Sequence, residues 1–360
     1  MRLLAGVTAR RARAVLLSLA PLTVACHTTG SDGPGSNCSN GVCPFTNVAP
    51  PADGVAQFSV VPVAPVPGLS LTALGSLNPP GHVLPTDHVY FYAWDLSQRS
   101  ASAAPGTRNV YMPATGALFQ KLQPGGTDGK LMFRATQNFY FYLDHVVPSM
   151  TINIGDVVQA GTLIGTTDPG GTLDLGAFDE SVTHPGFLTP ARYPEQTLHY
   201  VSPWAYFAPS LQPALYAQLY RAPTAADKDG RIDFGVAGKL VGDWFLQGLP
   251  ADISGGPYGW TRTVAFVYDY YDPSLARISI GGTIGPAGVW AIDAASPRPE
   301  TVTVANGAVA YRLINPFDGG PPVGLLLVQM LSDSQIRIEL FPGSTASTAQ
   351  FDTNAYTFVR

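Results

Sequence analysis

A short stretch near the middle of the chain places two tight turns a few residues apart, which only a compact β structure accommodates. The stretch reads GDVVQAGTLIG from Gly155 to Gly165, and its turn residues are flanked by β-branched and aliphatic residues. An aromatic segment, Tyr140 to Asp144, precedes it, and another strand pattern, Thr172 to Phe178, follows it. This arrangement predicts short strands folded back on one another, and therefore an all-β nucleus.

The last part of the chain, residues 229–360, contains many short strand patterns separated by Gly, Pro and Asp. The segment from Gln335 to Leu340 alternates without interruption, as a half-buried antiparallel strand requires. Strands at this spacing predict a second antiparallel β domain, a barrel or a sandwich, in which Thr301 to Val304 is one strand. The one helical pattern, Pro213 to Ala222, lies between the two β regions.

The composition supports a turn-rich β protein and excludes one class of partner. The chain is 46% hydrophobic and only 12% charged, with 38 Gly and 33 Pro, which is unlike a helical or a disordered sequence. The formal net charge of -5 provides no basic surface for a phosphate backbone. We therefore do not expect nucleic-acid binding.

The first 25 residues have the organisation of a bacterial signal peptide. Arginines at positions 2, 10, 11 and 13 precede an apolar run from Ala14 to Ala25, which is too short to span a bilayer. The run ends in LTVAC, which resembles a lipobox and implies cleavage before Cys26 and diacylation of its thiol. This predicts an exported lipoprotein that is anchored to a bacterial membrane, in the periplasm or at the cell surface. The alternative is ordinary secretion with a coincidental Cys26.

The other two cysteines lie close together after this segment. With Cys26 assigned to a lipid, Cys38 and Cys43 form an even pair that could close a small disulfide ring in an oxidising compartment. Metal binding by this pair is a weaker alternative, because the chain has no further cysteines. The Ser, Gly, Asn and Pro content of residues 26–53 predicts a flexible tether.

Polar residues that could form a site lie near the predicted strand ends. Asp87 and His88 lead into one strand, Asp144 and His145 end another, and Asp174 lies within a third. Each also has a structural interpretation: Asp87 could cap a turn, Asp144 and His145 could orient a loop, and Asp174 could accept backbone hydrogen bonds.

Several of these segments resemble, in order, the lysostaphin/LytM-type zinc metallopeptidases with their duplicated hybrid motif. The segments are His88 at a strand start, GDVVQAGTLIG, LDLGAFD and SPWAYF, and together they lie within residues 81–207. The resemblance implies a LytM-like β-hammerhead and antiparallel sheet over residues 54–222. In that family, zinc is held by an H-x(3)-D motif and by the second His of an H-x-H motif, which leaves one position for water.

The sequence departs from the family at most of these positions. His88 matches the first ligand, but Tyr92 stands where the aspartate is expected. The H-x-H pair falls on Thr172 and Asp174. His145 matches the assisting histidine only after a small shift of register.

The resemblance therefore implies a degenerate site, with zinc possible but not assured, and with the following candidates. Metal ligands are His88, Asp174 and Asp87; catalytic groups are His145 and Asp174; and a binding groove is lined by Tyr92, Tyr142 and His199.

Three functions remain open. The favoured one is a domain without peptidase activity that binds cell-wall peptide, glycan or an envelope protein in the former groove, because fold likeness does not carry function when site residues change. The alternatives are a zinc metallo-endopeptidase or cell-wall hydrolase with rearranged ligands, and a structural envelope protein.

Overall fold

The computed structural model describes residues 42–64, 69–93, 95–98, 106–123, 128–249, 260–317 and 319–360. All of these residues belong to one unit that runs from Pro34 to Arg360. The predicted signal peptide, Cys26 and Cys38 lie outside the described residues, and Cys43 is disulfide-bonded. In the ranges given, no helix is long and apolar enough to cross a membrane.

In the described part of the first β region, eleven strands form one antiparallel sheet. The strands are β1 (Val42–Cys43), β2 (Ser70–Leu71), β3 (His88–Tyr92), β4 (Asn109–Tyr111), β5 (Gly116–Leu122), β6 (Gly129–Arg134), β7 (Phe139–Pro148), β8 (Val157–Val158), β9 (Leu163–Thr167), β10 (Thr172–Asp179) and β11 (Tyr200–Val201). The main path of paired strands is β1-β5-β6-β7-β10-β3-β2. Four short strands lie off this path: β11 pairs with β10, β8 pairs with β5, and β9 pairs with both β7 and β4. The short helices are α1 (Glu195–Leu198), α2 (Pro203–Tyr206) and α3 (Gln212–Tyr216).

The register of the central strands decides which side chains share a face. Asp174 on β10 lies opposite Tyr90 on β3 and Asp144 on β7. Gly176 lies opposite His88 and Tyr142 in the same way. Because directly opposite residues of antiparallel strands point to one face, these polar and aromatic side chains are collected on a single face of the sheet.

The other face of the same strands forms the hydrophobic core. Phe91, Phe141 and Leu175 are at most 1% exposed and pack in one cluster with residues of the loops and helices that cover the sheet. Trp204 of α2 packs on Phe91 at a ring distance of 5.4 Å. Alternation along β3, β7 and β10 therefore separates a core face from a polar face.

Eight further strands form a closed antiparallel barrel in the described part of the second β region. They are β12 (Gly242–Leu246), β13 (Thr263–Tyr268), β14 (Ala276–Ile280), β15 (Gly288–Ile292), β16 (Ala308–Ile314), β17 (Gly324–Ser332), β18 (Gln335–Pro342) and β19 (Tyr356–Val359). Each pairs with the next, and β19 pairs with β12. Its interior is filled by apolar side chains such as Trp244, Phe266 and Tyr311.

Two predicted elements are wrong. The helix expected over Pro213–Ala222 ends at Tyr216, because the backbone N–H of Tyr220 donates to the carbonyl of Leu71 instead of continuing the helix. The segment Thr301–Val304 is not a strand and joins two 3-10 turns, Pro299–Thr301 and Val304–Asn306. Residues 55–64, which precede β2, form only isolated bridges at Phe58 and Val63. The predicted bounds of the two domains, residues 54–222 and 229–360, remain predictions.

A segment between β10 and β11, residues 184–198, packs against both the sheet and the barrel, and we call it the strap. Phe187 and Tyr193 of the strap lie 4.6 Å apart, and Tyr193 packs edge-on against Phe245 of β12 at 5.5 Å. The Tyr193 hydroxyl donates to Oδ2 of Asp243 at 2.9 Å. At its other end, the Thr197 hydroxyl donates to Oδ2 of Asp87 at 2.7 Å. The strap therefore touches both the polar face of the sheet and the barrel wall.

Candidate functional site

The imidazole of His88 is held from both ring nitrogens. Nδ1 lies 3.1 Å from Oδ1 of Asp87, and Nε2 lies 2.9 Å from the hydroxyl of Tyr90. Nε2 also lies 3.4 Å from Oδ2 of Asp174. His88 is only 5% exposed, so these contacts fix the ring inside the protein.

Asp87 is the ionised anchor of this arrangement. Its carboxylate accepts hydrogen bonds from the hydroxyls of Tyr142, at 3.2 Å, and Thr197, at 2.7 Å, in addition to its contact with His88. Burial alone would raise the pKa of Asp87, but the hydrogen bond to His88 and the neighbouring positive charge outweigh it and lower the pKa well below its usual range.

Asp174 lies between two histidines and is almost fully buried. Its Oδ2 is 3.4 Å from Nε2 of His88 and 3.6 Å from Nε2 of His145. Its Oδ1 has no hydrogen-bond partner among the described residues. Burial raises the pKa of Asp174, and attraction to the two histidines only partly opposes this. The carboxyl is therefore easier to protonate than an exposed aspartate.

His145 has an unusual backbone at the edge of the same group. Its φ of 64° makes it the one non-glycine residue with positive φ among those described. Its Nδ1 lies 3.1 Å from Oδ2 of Asp128, and its backbone N–H donates to Oδ1 of Asp144. Burial lowers the pKa of His145, but attraction to Asp174 and the bond to Asp128 outweigh it, so the pKa rises. Left-handed backbone at a non-glycine residue is costly and is common at functional sites.

The structure adds residues to the site that the sequence analysis did not identify. Tyr90 is next to His88 because alternate residues of β3 share a face, which the alternation alone could have shown. Lys130 lies 3.8 Å above the ring of Tyr142 and 3.5 Å from Asp144. The ring of His82 is 5.2 Å from that of His88, and its pKa is lowered to about 4 by burial and by the charge of His88.

A cavity of about 140 Å³ opens beside His88, between the sheet, the strap and the barrel. It is lined by His82, Leu84, Pro85, Thr86, Asp87, His88, Lys130, Tyr142, Phe187, Arg192, Tyr193, Pro194, Gln196, Thr197, Ile232 and Asp243. Its walls combine a minority of apolar side chains with a larger number of polar and charged ones.

The three residues predicted to line a groove are not all found here. Tyr142 lines the cavity, whereas Tyr92 and His199 are not among its lining residues. Tyr92 stacks on Tyr90 at 5.2 Å. His199 uses its ring nitrogens on the carbonyl of Val182, at 2.7 Å, and on Glu195, at 3.4 Å. His199 therefore orients the strap.

The predicted metal ligands do not fit a zinc site in this arrangement. A zinc ion needs at least three protein ligands whose donor atoms point to one centre. Among the described residues, no group of three or more His, Cys, Asp or Glu side chains is arranged to hold a metal ion. Asp87 and Tyr90 engage the two nitrogens of His88. The described contacts of the site are those of a hydrogen-bonded His–Asp network.

The fold and the site define an all-β protein in which an antiparallel sheet carries a buried His–Asp network at its junction with a closed eight-stranded barrel. No family model matches the sequence, and no curated protein matches it significantly.

Solved structures similar to this chain include Csd3 of Helicobacter pylori, a zinc containing peptidase from Vibrio cholerae, and the antimicrobial peptidase lysostaphin from Staphylococcus simulans. For Csd3, identity is 14%, the TM-score is 0.28, and the match covers 42% of this chain and 35% of that one. For the Vibrio peptidase, identity is 16%, the TM-score is 0.25, and the match covers 34% of this chain and 37% of that one. For lysostaphin, identity is 12%, the TM-score is 0.25, and the match covers 76% of this chain and 96% of that one. This chain thus spans about a third of the length of the first two proteins.

Proposed function

We propose that the sheet of this protein is a recognition module that binds cell-wall peptide in the cavity beside His88, and that it lacks zinc-dependent peptidase activity. Glycan and an envelope protein are the alternative ligands. The proposal rests on the sequence resemblance to LytM-type peptidases for the envelope setting, and on the geometry of the site for the loss of metal chemistry.

The observation that carries the proposal is the state of His88. In the resembling family, this position supplies a zinc ligand, which requires a nitrogen free to face the metal. Here, one nitrogen lies against Asp87, and the other lies against Tyr90 and near Asp174. Nε2, the nitrogen that would face a metal, is instead hydrogen-bonded to the hydroxyl of Tyr90, and in this arrangement His88 supports the shape of a binding site.

The cavity supports binding of a small group. Its volume of about 140 Å³ is comparable to that of an engineered apolar cavity, about 150 Å³, that binds benzene. A single side chain of a peptide fits such a volume, whereas several sugar rings do not. This size favours a peptide over a glycan chain.

We further propose that the protein works outside the cytoplasm, held to a membrane by a lipid on Cys26. The supporting observations are the arginine-rich start, the apolar run and the LTVAC sequence. A cell-wall ligand requires this location.

The binding proposal can be tested with purified protein and insoluble cell wall. We expect the protein to sediment with the wall, to release no soluble muropeptides, and to bind equally well after chelator treatment. Thr197→Val removes one hydrogen bond to Asp87 at the cavity wall and is expected to weaken sedimentation. Thr46→Val, which removes a hydrogen bond to the carbonyl of Pro44 outside the cavity lining, serves as the matched control.

One observation favours a hydrolase as the second candidate. The buried carboxyl of Asp174, with its raised pKa, lies between two histidines, a combination suited to proton transfer. Stoichiometric zinc that is lost in both His88→Ala and Asp174→Ala, together with release of muropeptides, would replace the binding proposal with an enzyme. If the protein shows neither bound metal nor affinity for cell wall, a structural role in the envelope would be the remaining function.

A further inference from the structure

Two aspartates line the cavity, and they differ in how much hydrogen-bonding capacity they have left. Both oxygens of Asp87 are engaged: Oδ1 faces His88 and Tyr142, and Oδ2 accepts from Thr197. Asp243, contributed by the barrel, accepts from Tyr193 through Oδ2 only. Its Oδ1 has no hydrogen-bond partner among the described residues, although Asp243 is only 8% exposed.

The strand pattern explains why a carboxyl points out of the barrel at this place. Trp244 of β12 faces the barrel core, so its neighbour Asp243 faces the other way, towards the strap. A buried carboxylate oxygen without a donor costs free energy, and such groups require an explanation in a native structure. A ligand that supplies the donor is one explanation.

The charged groups around Asp243 do not neutralise it. Asp233 repels it, and Tyr193 donates a hydrogen bond to it. Arg360 attracts it, but the donors of Arg360 are directed at the backbone carbonyls of Val236, Val241 and Asp333. Arg192 lies over the ring of Phe245 at 5.2 Å. Burial consequently raises the pKa of Asp243 to about 7.

The cavity wall combines apolar side chains with polar ones, and its two cations, Lys130 and Arg192, are directed at Asp144 and at the ring of Phe245. Leu84, Phe187, Pro194 and Ile232 all line the same cavity as Asp243. An occupant must therefore combine an aliphatic stem, which these side chains cover, with a terminal hydrogen-bond donor for Oδ1. An anionic group would meet the charge of Asp243, and a purely apolar one would leave Oδ1 unsatisfied.

We propose that the cavity binds an aliphatic primary ammonium, such as the end of a lysine side chain, with the ammonium on Oδ1 of Asp243 and the methylene groups against the apolar side chains of the wall. This inference rests on the proposed binding function and specifies the chemical class of the ligand. It also makes the barrel part of the site, because the residue that selects the ligand belongs to β12.

The inference is tested with two probes of matched shape, N-acetyl-lysine methylamide and N-acetyl-norleucine methylamide. Isothermal titration at pH 8 is expected to show at least about tenfold tighter binding of the lysine probe, because hydrogen bonds to charged groups are the strong ones. In Asp243→Asn, the preference is expected to fall to near onefold. In Asp293→Asn, which removes a barrel carboxylate paired with Arg312 outside the cavity, the preference should remain.

A second measurement does not depend on whether the variant folds. In the wild-type protein, affinity for the lysine probe is expected to increase from pH 6 to pH 8, as Asp243 ionises, while affinity for the norleucine probe stays constant. Equal affinity for the two probes, or an unchanged preference in a folded Asp243→Asn, would overturn the inference.

The outcomes also separate this inference from the binding proposal. Sedimentation with cell wall without any preference for the lysine probe would refute the ammonium ligand and leave wall binding intact. A lysine preference without sedimentation would refute wall binding and leave the ammonium ligand intact.

Discussion

The stability of the protein should depend on pH through Asp243, and the structure gives the sign and size of the effect. Burial raises the pKa of this carboxyl from its usual 3.8 to about 7. The folded state therefore holds the proton more tightly than the unfolded state. The group costs nothing at pH values below 3.8, and its full penalty is present only above pH 7, so stability falls as the pH rises between these values.

The magnitude follows from the two pKa values. The full penalty is about 4 kcal/mol, because each pKa unit corresponds to about 1.36 kcal/mol. Between pH 5 and pH 8, the part of this penalty that develops is about 2.5 kcal/mol. Asparagine cannot ionise, so Asp243→Asn should remove this part of the pH dependence.

The assay is urea denaturation of the wild type and of Asp243→Asn at pH 5, 6, 7 and 8, followed by tryptophan fluorescence. Trp244, which is next to Asp243 and fully buried, reports on the barrel. The free energy of unfolding of Asp243→Asn minus that of the wild type should increase by about 2.5 kcal/mol from pH 5 to pH 8. Comparing the two proteins at each pH cancels the contributions of all other titrating groups. Asp293→Asn controls for loss of a barrel carboxylate.

A difference that is the same at pH 5 and pH 8 would refute this reasoning. It would mean that the carboxyl of Asp243 is either solvated or paired with a cation in the folded protein. In both cases, the ammonium ligand proposed above would lose its structural basis.

Three further predictions concern packing, backbone strain and anchoring. Gly176→Ala places a methyl group against the ring of Tyr142 and should lower the free energy of unfolding by about 1–3 kcal/mol in urea denaturation, whereas Gly81→Ala, with only an ordinary contact at 3.7 Å, should change it by less than about 0.5 kcal/mol. His145→Val should be less stable than His145→Gly by more than about 1 kcal/mol, measured in the same way, because both variants lose the imidazole contacts and only the β-branched side chain is strained at φ 64°. Cys26→Ser should move the protein from the membrane to the soluble fraction on cell fractionation, and a variant that stays in the membrane would contradict lipid anchoring.

Much of the sheet follows from alternation along the chain. The patterns around Tyr140–Asp144 and Thr172–Phe178 correspond to β7 and β10, and the all-β class and the barrel are confirmed. Alternation also explains why the even-numbered residues of β3 and β10, among them His88 and Asp174, share one face. The part of the site that lies within adjacent strands could therefore be predicted from local sequence.

The remainder of the site depends on contacts between residues that are far apart in the chain. Thr197 reaches Asp87 across 110 residues, and Tyr193 reaches Asp243 across 50. No local pattern indicates where an irregular, proline-containing strap lies on a sheet. The prediction that the helix continues beyond Tyr216 was wrong for the same reason, because the residues that follow pair with β2.

The aromatic contact between the strap and the barrel, Tyr193 on Phe245, couples ligand binding in the cavity to the packing of these two parts. Because a ligand would touch the sheet, the strap and β12 together, its binding energy must oppose any separation of these parts, and by thermodynamic reciprocity a looser junction must weaken its binding.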